Sequence, residues 1–390
     1  MKTLQIISSI YREDGGTAAF AANFCTSLAN TGLGTTLITG KKEGCELLPI
    51  SPSVDHRFAK FGSTKLSQFI GASNFSEKVS LYLQEIEEAA VVHVHGLWLW
   101  SNHLSLKVAV KRGVPVVVSP HGMLDTWDIS HHGARKRLAM WLYQKKDLLK
   151  VSVLHACSMV EVTTIQSYKL GIPVACIPIG VDVPEDISCP PVAPEFLNPN
   201  KKTALFLSRI HPKKGLKLLI ECWSQLQPEN WQLIIAGIDN DGYLEEMLKL
   251  ISRLGMQNHI KYVGPVFGDA KDQLYRFSDL FLLPTHSENF GIVVPEALSY
   301  GVPVLTTTGT PWVDELVEFD CGWCCGPTMN SLKPVLTKAL ATEKNTLVEM
   351  GHRGREMVKL NYSWPAIGQK THCLYDWLLG KAPQPDFIYR

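Results

Sequence analysis

Residues Leu280–Leu305 read LFLLPTHSENFGIVVPEALSYGVPVL, and this stretch contains every element of a strand–loop–helix–strand unit. Leu280–Leu283 is a short continuous apolar run, which is the pattern of a strand buried on both faces of a parallel sheet. A helix is predicted to begin at Gly291–Ile292, because Pro295 is tolerated only in the first turn of a helix. Val302–Leu305 is a second apolar run and is predicted to form the next strand. The stretch therefore predicts an α/β architecture with a parallel sheet.

The same alternation of apolar runs and amphipathic segments continues in both directions along the chain. Further predicted strands are Leu4–Ser9, Val91–His95, Val116–Ser119, Val153–Cys157, Val174–Ile179, Ala204–Leu207, Leu233–Ala236 and Ile260–Val263. The predicted helices are Thr17–Ala29, a helix capped by Ser158 and ended by Gly171, Leu216–Leu226, Leu244–Leu254 and Asp272–Phe277. We expect two doubly wound, Rossmann-like domains facing a cleft, with ligands bound beyond the carboxyl ends of the strands.

A proline-rich segment separates the two halves of this pattern. Val183–Asn200, VPEDISCPPVAPEFLNPN, contains five prolines and has no hydrophobic periodicity, which is typical of a domain linker. We predict an N-terminal domain over residues 1–183, a linker over 184–200 and a C-terminal domain over 201–363. From about Thr342 the chain is mainly helical, and a final helical segment over residues 364–390 is predicted to complete the first domain.

Composition favours a folded globular protein. Of 390 residues, 45% are hydrophobic and 19% are charged, and the net charge of +1 gives no support for nucleic-acid binding. The sequence has no run of about 18 apolar residues that could cross a membrane. The apolar start runs directly into Arg12, Glu13 and Asp14, which predicts a first strand rather than a signal peptide. A cytoplasmic protein is therefore expected.

The cysteines do not predict a metal or redox site. Cys321, Cys324 and Cys325 are close together in DCGWCCGP, but a zinc site usually needs a second pair nearby, and the flanking glycines and proline predict a turn or short strand. Among the other cysteines, four lie in apolar periodic segments and are predicted to be small core residues: Cys25, Cys157, Cys176 and Cys222.

Two candidate ligand-binding loops follow strands in the first half. Gly15 and Gly16 directly precede a helix, where a bare backbone and the helix N-terminus could receive an anion. The alternative is an ordinary strand-to-helix turn. The absence of the dinucleotide pattern G-x-G-x-x-G argues against a nicotinamide enzyme. His121 in SPHGM follows the strand Val116–Ser119 and could bond a polar ligand. Its alternative role is a loop histidine bonded to backbone.

Two further candidate loops follow strands in the second half. Arg209 and Lys214 in SRIHPKKG could hold a diphosphate, or could form a solvated basic turn. Glu288 and Glu296 have seven residues between them, so Glu288 is predicted in the loop before a helix and Glu296 in its second turn. Carboxylates accept hydroxyl hydrogen bonds, which suits sugar and ribose diols. The alternative is two surface glutamates beside a helix start.

Taken together and in this order, these motifs resemble the large retaining glycosyltransferase family 4, whose members have the GT-B fold. Each motif alone is unspecific, but the resemblance covers most of the chain. It departs at Ile179 in PIGVD, where the family commonly has asparagine, and at Tyr11–Asp14, where a proline-rich loop is frequent. The motifs that match are the DGG loop at Asp14–Gly16, SPHGM at Ser119–Met123, SRIHPKKG at Ser208–Gly215, IAG ending at Gly237, SDLFLLP at Ser278–Pro284 and SENFGIVVPE at Ser287–Glu296.

The resemblance implies a role for each matching position in binding a nucleotide diphosphate sugar. Gly15 and Gly16 would lie against the donor phosphate or sugar, and His121 would bond the sugar near its C6 hydroxyl. Arg209 and Lys214 would hold the diphosphate. Glu288 would bind sugar hydroxyls, helped by the backbone of Asn289, Phe290 and Gly291. Glu296 would bind the ribose, and Val266 would lie beside the base. The other implied donor contacts are Ile292 at the helix start and Gly237 at the end of its strand.

The reaction implied is transfer of a hexose, with retention, to a hydroxyl of a glycan or lipid-linked glycan in polysaccharide biosynthesis. UDP-glucose or a related UDP-hexose is the expected donor. The family precedent is front-side attack, in which the departing phosphate takes the acceptor proton, and neither a metal nor a cofactor is expected. Two alternatives stay open: a nucleotide-sugar epimerase of the same fold, and a non-catalytic nucleotide-sugar-binding subunit.

A basic amphipathic segment, HHGARKRLAMWLYQKKDLLK, suggests weak association with an anionic membrane surface on the inner face of the plasma membrane. Its apolar face would consist of Leu138, Trp141, Leu142, Leu148 and Leu149. The alternative is an ordinary helix over about 134–150 packed on the first domain. Trp98, Trp100 and Trp127 could line an acceptor site, although core packing is the simpler interpretation.

Overall fold

The computed structural model describes residues 1–42, 44–59, 85–125, 138–187 and 193–390, with only the backbone of Trp100. Contacts divide the chain into two compact units. The first unit consists of Met1–Gly180 together with Trp364–Arg390, and the second consists of Val181–Ser363. The two units are described one at a time below.

The first unit contains a sheet that has eight strands over the described residues. The strands are β1 (Lys2–Ile6), β2 (Gly34–Gly40), β3 (Val54–Ala59), β4 (Val91–His95), β5 (Val116–Ser119), β6 (Val153–Ala156), β7 (Val174–Cys176) and β14 (Ile388–Tyr389). Their order is β14-β7-β6-β5-β4-β1-β2-β3, so the strand order reverses between β1 and β4. All the pairs are parallel except the pair of β14 with β7.

Helices cover this first sheet. Within the described ranges they are α1 (Gly16–Asn30), α2 (Trp100–Lys111), α3 (Lys145–Leu148), α4 (Met159–Ser167) and α12 (Trp364–Leu378). A π-helical turn at Met140–Gln144 leads into α3. α12 packs on α1, with Gly368 close to Ser27, and the Ser27 hydroxyl donates to the carbonyl of Trp364. The final helix and strand of the chain therefore belong to the first unit.

The second unit contains a parallel sheet of six strands, counted within the described ranges. The strands are β8 (Lys202–Leu207), β9 (Trp231–Ala236), β10 (Ile260–Tyr262), β11 (Leu280–Leu283), β12 (Val304–Thr307) and β13 (Gly322–Cys325). Their order is β10-β9-β8-β11-β12-β13, and the reversal lies between β8 and β11. The helices are α5 (Leu216–Leu226), α6 (Tyr243–Arg253), α7 (Asp269–Arg276), α8 (Val293–Ser299), α9 (Val313–Glu318), α10 (Met329–Ala341) and α11 (Lys344–Asn361).

The described part of the proline-rich segment is hydrogen-bonded to the second unit. Arg355 donates to the carbonyl of Pro184, and Arg276 donates to that of Asp186 at 3.2 Å. Residues 188–192 lie outside the described ranges. Contacts thus attach the segment predicted as a linker to the second unit, whose first residue is Val181.

The structure confirms the predicted α/β class with two Rossmann-like domains. Three strands, at Val91–His95, Val116–Ser119 and Leu280–Leu283, have the predicted bounds, and so does the helix at Leu216–Leu226. The Ser158 hydroxyl accepts from the Glu161 amide at 3.2 Å, as the predicted cap requires.

Several predicted bounds were wrong for local reasons. The strand predicted at Leu4–Ser9 is β1, at Lys2–Ile6. The strand predicted to reach Ile179 ends at Cys176, before Pro178, which has no N–H for a ladder. The strand after α8 begins at Val304, just after Pro303. β2 and β3 were not predicted, and in β2 the buried threonines hide the strand from an apolar pattern.

None of the helices in the described ranges has both the length and the apolar character needed to cross a bilayer.

Candidate active site

Two loops of the second unit are packed together where its strand order reverses. The loop after β8 carries Lys213, whose carbonyl accepts from the His286 amide at 2.8 Å and from the Thr285 hydroxyl at 3.0 Å. Gly215, with φ +72°, lies against the carbonyl of Pro284, so that a side chain at this position would collide with backbone. The loops after β8 and β11 are therefore fixed in direct contact.

This contact places Lys214 beside Glu288. The Lys214 ammonium donates to Oε1 of Glu288, and their side chains are only 10% and 12% exposed. Burial lowers the pKa of Lys214, and the Glu288 carboxylate opposes that shift. A buried pair of this kind loses hydration on both sides, so removing one partner leaves an uncompensated charge.

The loop before α8 is shaped around Glu288. Gly291 has φ +73°, and a Cβ built there would lie 3.5 Å from Cγ of Glu288. Phe290 is buried against Trp312, and its carbonyl accepts from the indole N–H. Asn289 is half-buried and Ile292 is exposed. The Phe290 ring is therefore a packing element of this loop.

Glu296 lies in the first turn of α8 rather than in the predicted second turn, because the helix begins at Val293. Its two oxygens are engaged by α7: Lys271 Nζ donates at 2.6 Å and the Tyr275 hydroxyl at 3.0 Å. Tyr275 is fully buried. Neither partner was predicted from the sequence. The helix was expected to begin at Asp272, whereas α7 begins at Asp269 and therefore includes Lys271.

The other predicted positions of the second unit also follow strands. Arg209 is exposed, two residues beyond β8. Gly237 follows β9 and has φ +147°, and a Cβ there would collide with the carbonyl of Ser208, so only glycine fits. Val266 is half-buried in the loop between β10 and α7.

In the first unit, the two glycines at the start of α1 have open space around them. A Cβ at Gly15 or Gly16 would meet no atom of the described residues within 4 Å. Gly15 has φ +76° and ψ −155°, a conformation almost restricted to glycine, whereas Gly16 is the first residue of the helix.

His121 stands two residues beyond β5 with φ +54°. Its ring lies 4.8 Å from that of Phe20, and the following amide, of Gly122, donates to the buried carboxylate of Glu161. Burial lowers the pKa of His121 to about 3, and His155 adds to the shift. The ring is thus held neutral in a fixed loop.

His121 belongs to a cluster of four histidines with His93, His95 and His155. The rings of His93 and His95 stack at 4.4 Å, and those of His95 and His121 stack at 5.5 Å. Burial, assisted by neighbouring rings, lowers the pKa of His93 and His95 well below 6.5, and burial lowers that of His155 to about 4. Of the four, only His121 was predicted from the sequence as a candidate site residue.

The remaining predictions concern cysteines and tryptophans. Cys325 is buried at the end of β13 and Cys321 is buried just before it, which agrees with the predicted short strand. Within the described ranges, no group of three or more candidate ligands could hold a metal ion. Trp98 packs against the core of the first unit. Trp127 lies outside the described residues.

Two family models match the chain. The model described as Glycosyltransferase Family 4 matches residues 14–185, and the model described as Glycosyl transferases group 1 matches residues 192–357. Together they span nearly the whole of both units. This chain is a family 4 glycosyltransferase.

The transferase is similar to curated and structurally solved proteins. The uncharacterized glycosyltransferase MJ1607 of Methanocaldococcus jannaschii is 35% identical over 180 residues, 45% of each chain. The sucrose-phosphate synthase of Zea mays is 28% identical over 218 residues, which are 50% of this chain and 20% of its own. The chain therefore spans less than two thirds of either relative's length.

Among solved structures, Anabaena HepE in complex with UDP-glucose superposes with a TM-score of 0.66 at 18% identity, over 98% of this chain and 100% of its own. This likeness supports the GT-B fold of the transferase.

The histidine cluster predicts a steep dependence of stability on pH. Its four members have pKa values lowered below 6.5 in the folded transferase, whereas in the unfolded chain they protonate near pH 6.5. The unfolded state then binds more protons, so the free energy of unfolding falls as the pH drops from 7 to 5. We expect about 4 to 5 kcal/mol per pH unit near pH 5.5, from uptake of about 3 to 4 protons.

Urea unfolding of the wild type between pH 5.5 and 7.5, followed by tryptophan fluorescence, checks this slope. His352→Gln removes an exposed histidine outside the cluster and should leave the slope unchanged. A slope corresponding to one proton or fewer would show that the cluster is not held neutral.

Proposed function

We propose that the transferase moves a hexose from a nucleotide diphosphate sugar, UDP-glucose or a related UDP-hexose, to a hydroxyl of a glycan or lipid-linked glycan in polysaccharide biosynthesis. The reaction retains the anomeric configuration. The observation that carries the proposal is the buried Lys214–Glu288 pair at the point where the strand order of the second unit reverses. Ligands of open parallel sheets bind at such reversals.

The two members of this pair suit the two parts of the donor that separate during transfer, the diphosphate and the sugar. A departing diphosphate develops negative charge, which the ammonium of Lys214 and the exposed guanidinium of Arg209 would stabilise. Glu288 offers carboxylate oxygens to sugar hydroxyls, and it already orients Lys214. Both groups are held in place before the donor arrives, so little reorganisation is needed during transfer.

Glu296 supports a separate contact with the nucleoside. A carboxylate has about four acceptor sites, and Lys271 and Tyr275 use two of those on Glu296. The remaining acceptor capacity fits the paired hydroxyls of a ribose. Val266, in the loop before α7, would flank the base. The complex of HepE with UDP-glucose supports a uridine donor.

Two positions of the first unit are proposed to serve the donor. The open space at Gly16 would admit a phosphate or sugar against the backbone. His121 would bond a hydroxyl of the transferred sugar, which suits a ring whose lowered pKa keeps it neutral. The acceptor hydroxyl would attack on the face from which the diphosphate leaves and would pass its proton to the departing phosphate, with no metal or cofactor.

A thermal-shift screen of nucleotide sugars tests the donor, because a ligand bound only by the folded state raises the melting temperature. We expect UDP-hexoses to give the largest shifts. Glu288→Ala should abolish transfer and the sugar-dependent part of the shift, each measured against the ligand-free variant, whose melting temperature should be lower because Lys214 loses its partner. Glu318→Ala, which truncates an exposed glutamate of the same unit, should behave as wild type.

Full transfer by the Glu288→Ala variant would contradict this assignment. Product analysis without acceptor separates the alternatives, since an epimerised sugar nucleotide would indicate an epimerase.

We also propose that the transferase associates weakly with an anionic membrane, as a lipid-linked acceptor would require. Leu138, Trp141, Leu142 and Leu149 are exposed, with Trp141 at 75%, and Lys145, Lys146 and Lys150 are exposed beside them. Leu148, predicted on the same face, is buried instead, because that side of α3 packs on the unit. Arg135, Lys136 and Arg137 lie outside the described residues.

Flotation with vesicles containing anionic lipid should recover the protein at low salt and release it at high salt, because the attraction is partly electrostatic. Trp141→Ala should reduce the bound fraction, whereas Leu360→Ala, which removes a similarly exposed apolar side chain elsewhere, should not. Absence of binding at low salt would refute the membrane proposal.

A further inference from the structure

A continuous line of hydrogen bonds runs through the buried histidines of the first unit. At one end, Nε2 of His155 lies 2.8 Å from the carbonyl oxygen of Ile177. Nδ1 of the same ring lies 2.8 Å from the Ser119 hydroxyl, which in turn lies 2.7 Å from Nε2 of His93. All three side chains in this half of the line are buried.

The line continues through the C-terminal helix to His121. Nδ1 of His93 lies 2.8 Å from the hydroxyl of Tyr375 on α12, and Gln5 Nε2 lies 3.2 Å from the same hydroxyl. Gln5 Oε1 is 3.1 Å from Nε2 of His95. Nδ1 of His95 is 3.3 Å from Nε2 of His121. Tyr375 is thus the only link between the two halves among the hydrogen bonds of the described residues.

The carbonyl of Ile177 fixes the direction of the first half, because a carbonyl oxygen can only accept. His155 must therefore carry its proton on Nε2, and since its lowered pKa keeps the ring neutral, its Nδ1 is an acceptor. The Ser119 hydroxyl donates to that nitrogen. Its oxygen then accepts from Nε2 of His93, which leaves Nδ1 of His93 as an acceptor.

The same reasoning sets the second half. The Tyr375 hydroxyl donates to Nδ1 of His93 and accepts from the amide N–H of Gln5. The Gln5 oxygen then accepts from Nε2 of His95, so Nδ1 of His95 is an acceptor and can only receive a proton from Nε2 of His121. The opposite direction would end with a bare nitrogen facing the Ile177 carbonyl.

We propose that this line of hydrogen bonds holds His121 in the tautomer with its proton on Nε2, which leaves Nδ1 to accept a hydroxyl of the transferred sugar. None of the described residues bonds to this Nδ1. His95, Gln5 and Tyr375 are then positioning residues that act through His121. The sugar contact rests on the proposed function, whereas the tautomer rests on the hydrogen bonds alone.

This arrangement gives the C-terminal helix a part in the chemistry beyond packing. Tyr375 is 370 residues from Gln5 in sequence and is held against it by the packing of α12 on α1. Without the Tyr375 hydroxyl, Gln5, His95 and His121 lose their connection to the Ile177 carbonyl. His95 and His121 could then adopt either tautomer, while the tautomers of His93 and His155 would stay fixed by Ser119 and the Ile177 carbonyl.

Two-bond ¹H–¹⁵N correlation spectra of protein labelled in the histidine rings report each tautomer directly. At pH 7 the wild type should show His121, His95, His93 and His155 with the proton on Nε2. In Tyr375→Phe, His121 and His95 should become mixtures of tautomers, while His93 and His155 keep theirs. The matched control Tyr389→Phe alters a tyrosine of the same C-terminal segment that is outside the line, and its spectrum should match the wild type.

Donor kinetics, measured as UDP release from the UDP-hexose found by the screen, test the functional consequence. Tyr375→Phe should lower kcat/KM by roughly fivefold, the scale of one hydrogen bond, and Tyr389→Phe should not. In a His121→Ala background the Tyr375→Phe change should cause no further loss, because it acts through the missing ring.

The outcomes separate the two proposals. A wild-type His121 with its proton on Nδ1, or an unchanged His121 tautomer in Tyr375→Phe, would overturn the inference whatever the activity. If the spectra agree but His121→Ala transfers sugar at the wild-type rate, the proposed contact of His121 with the sugar is what fails.

Discussion

The constraint on which the second unit depends is the reversal of strand order between β8 and β11. At that point the connections leave in opposite directions, so the loops after the two strands face each other without a helix between them. The sequence fills this place with Lys214 and Glu288, which are buried and bonded to each other. Neither charge is stable there without the other, and this mutual dependence keeps both side chains fixed.

In the first unit, the polar groups buried near the corresponding reversal are neutral. Near its own reversal, between β1 and β4, it buries Gln5 on one strand with His93 and His95 on the other. Polar groups at such depth are costly unless every donor meets an acceptor. The line of hydrogen bonds from Ile177 to His121 meets that requirement. The hydrogen bonds that offset the cost of burying these groups also orient His121.

The parts predictable from sequence were those with local causes. Apolar runs located most strands, and the order of motifs located Lys214, Glu288 and His121 after strand ends. β2 was missed because Thr35, Thr36 and Thr39 are buried although they count as polar. Partners brought together by tertiary packing gave no local signal: Lys271 and Tyr275 reach Glu296 across two helices, and Tyr375 reaches Gln5 from the far end of the chain.

We propose that Lys214, held in place by Glu288, binds the donor diphosphate. Calorimetric titration of UDP and of uridine into wild type and Lys214→Met tests it most directly. We expect the variant to bind UDP at least about tenfold more weakly, because one charge-assisted hydrogen bond is lost, while its affinity for uridine stays unchanged. Equal UDP affinity in the folded variant and the wild type would contradict it.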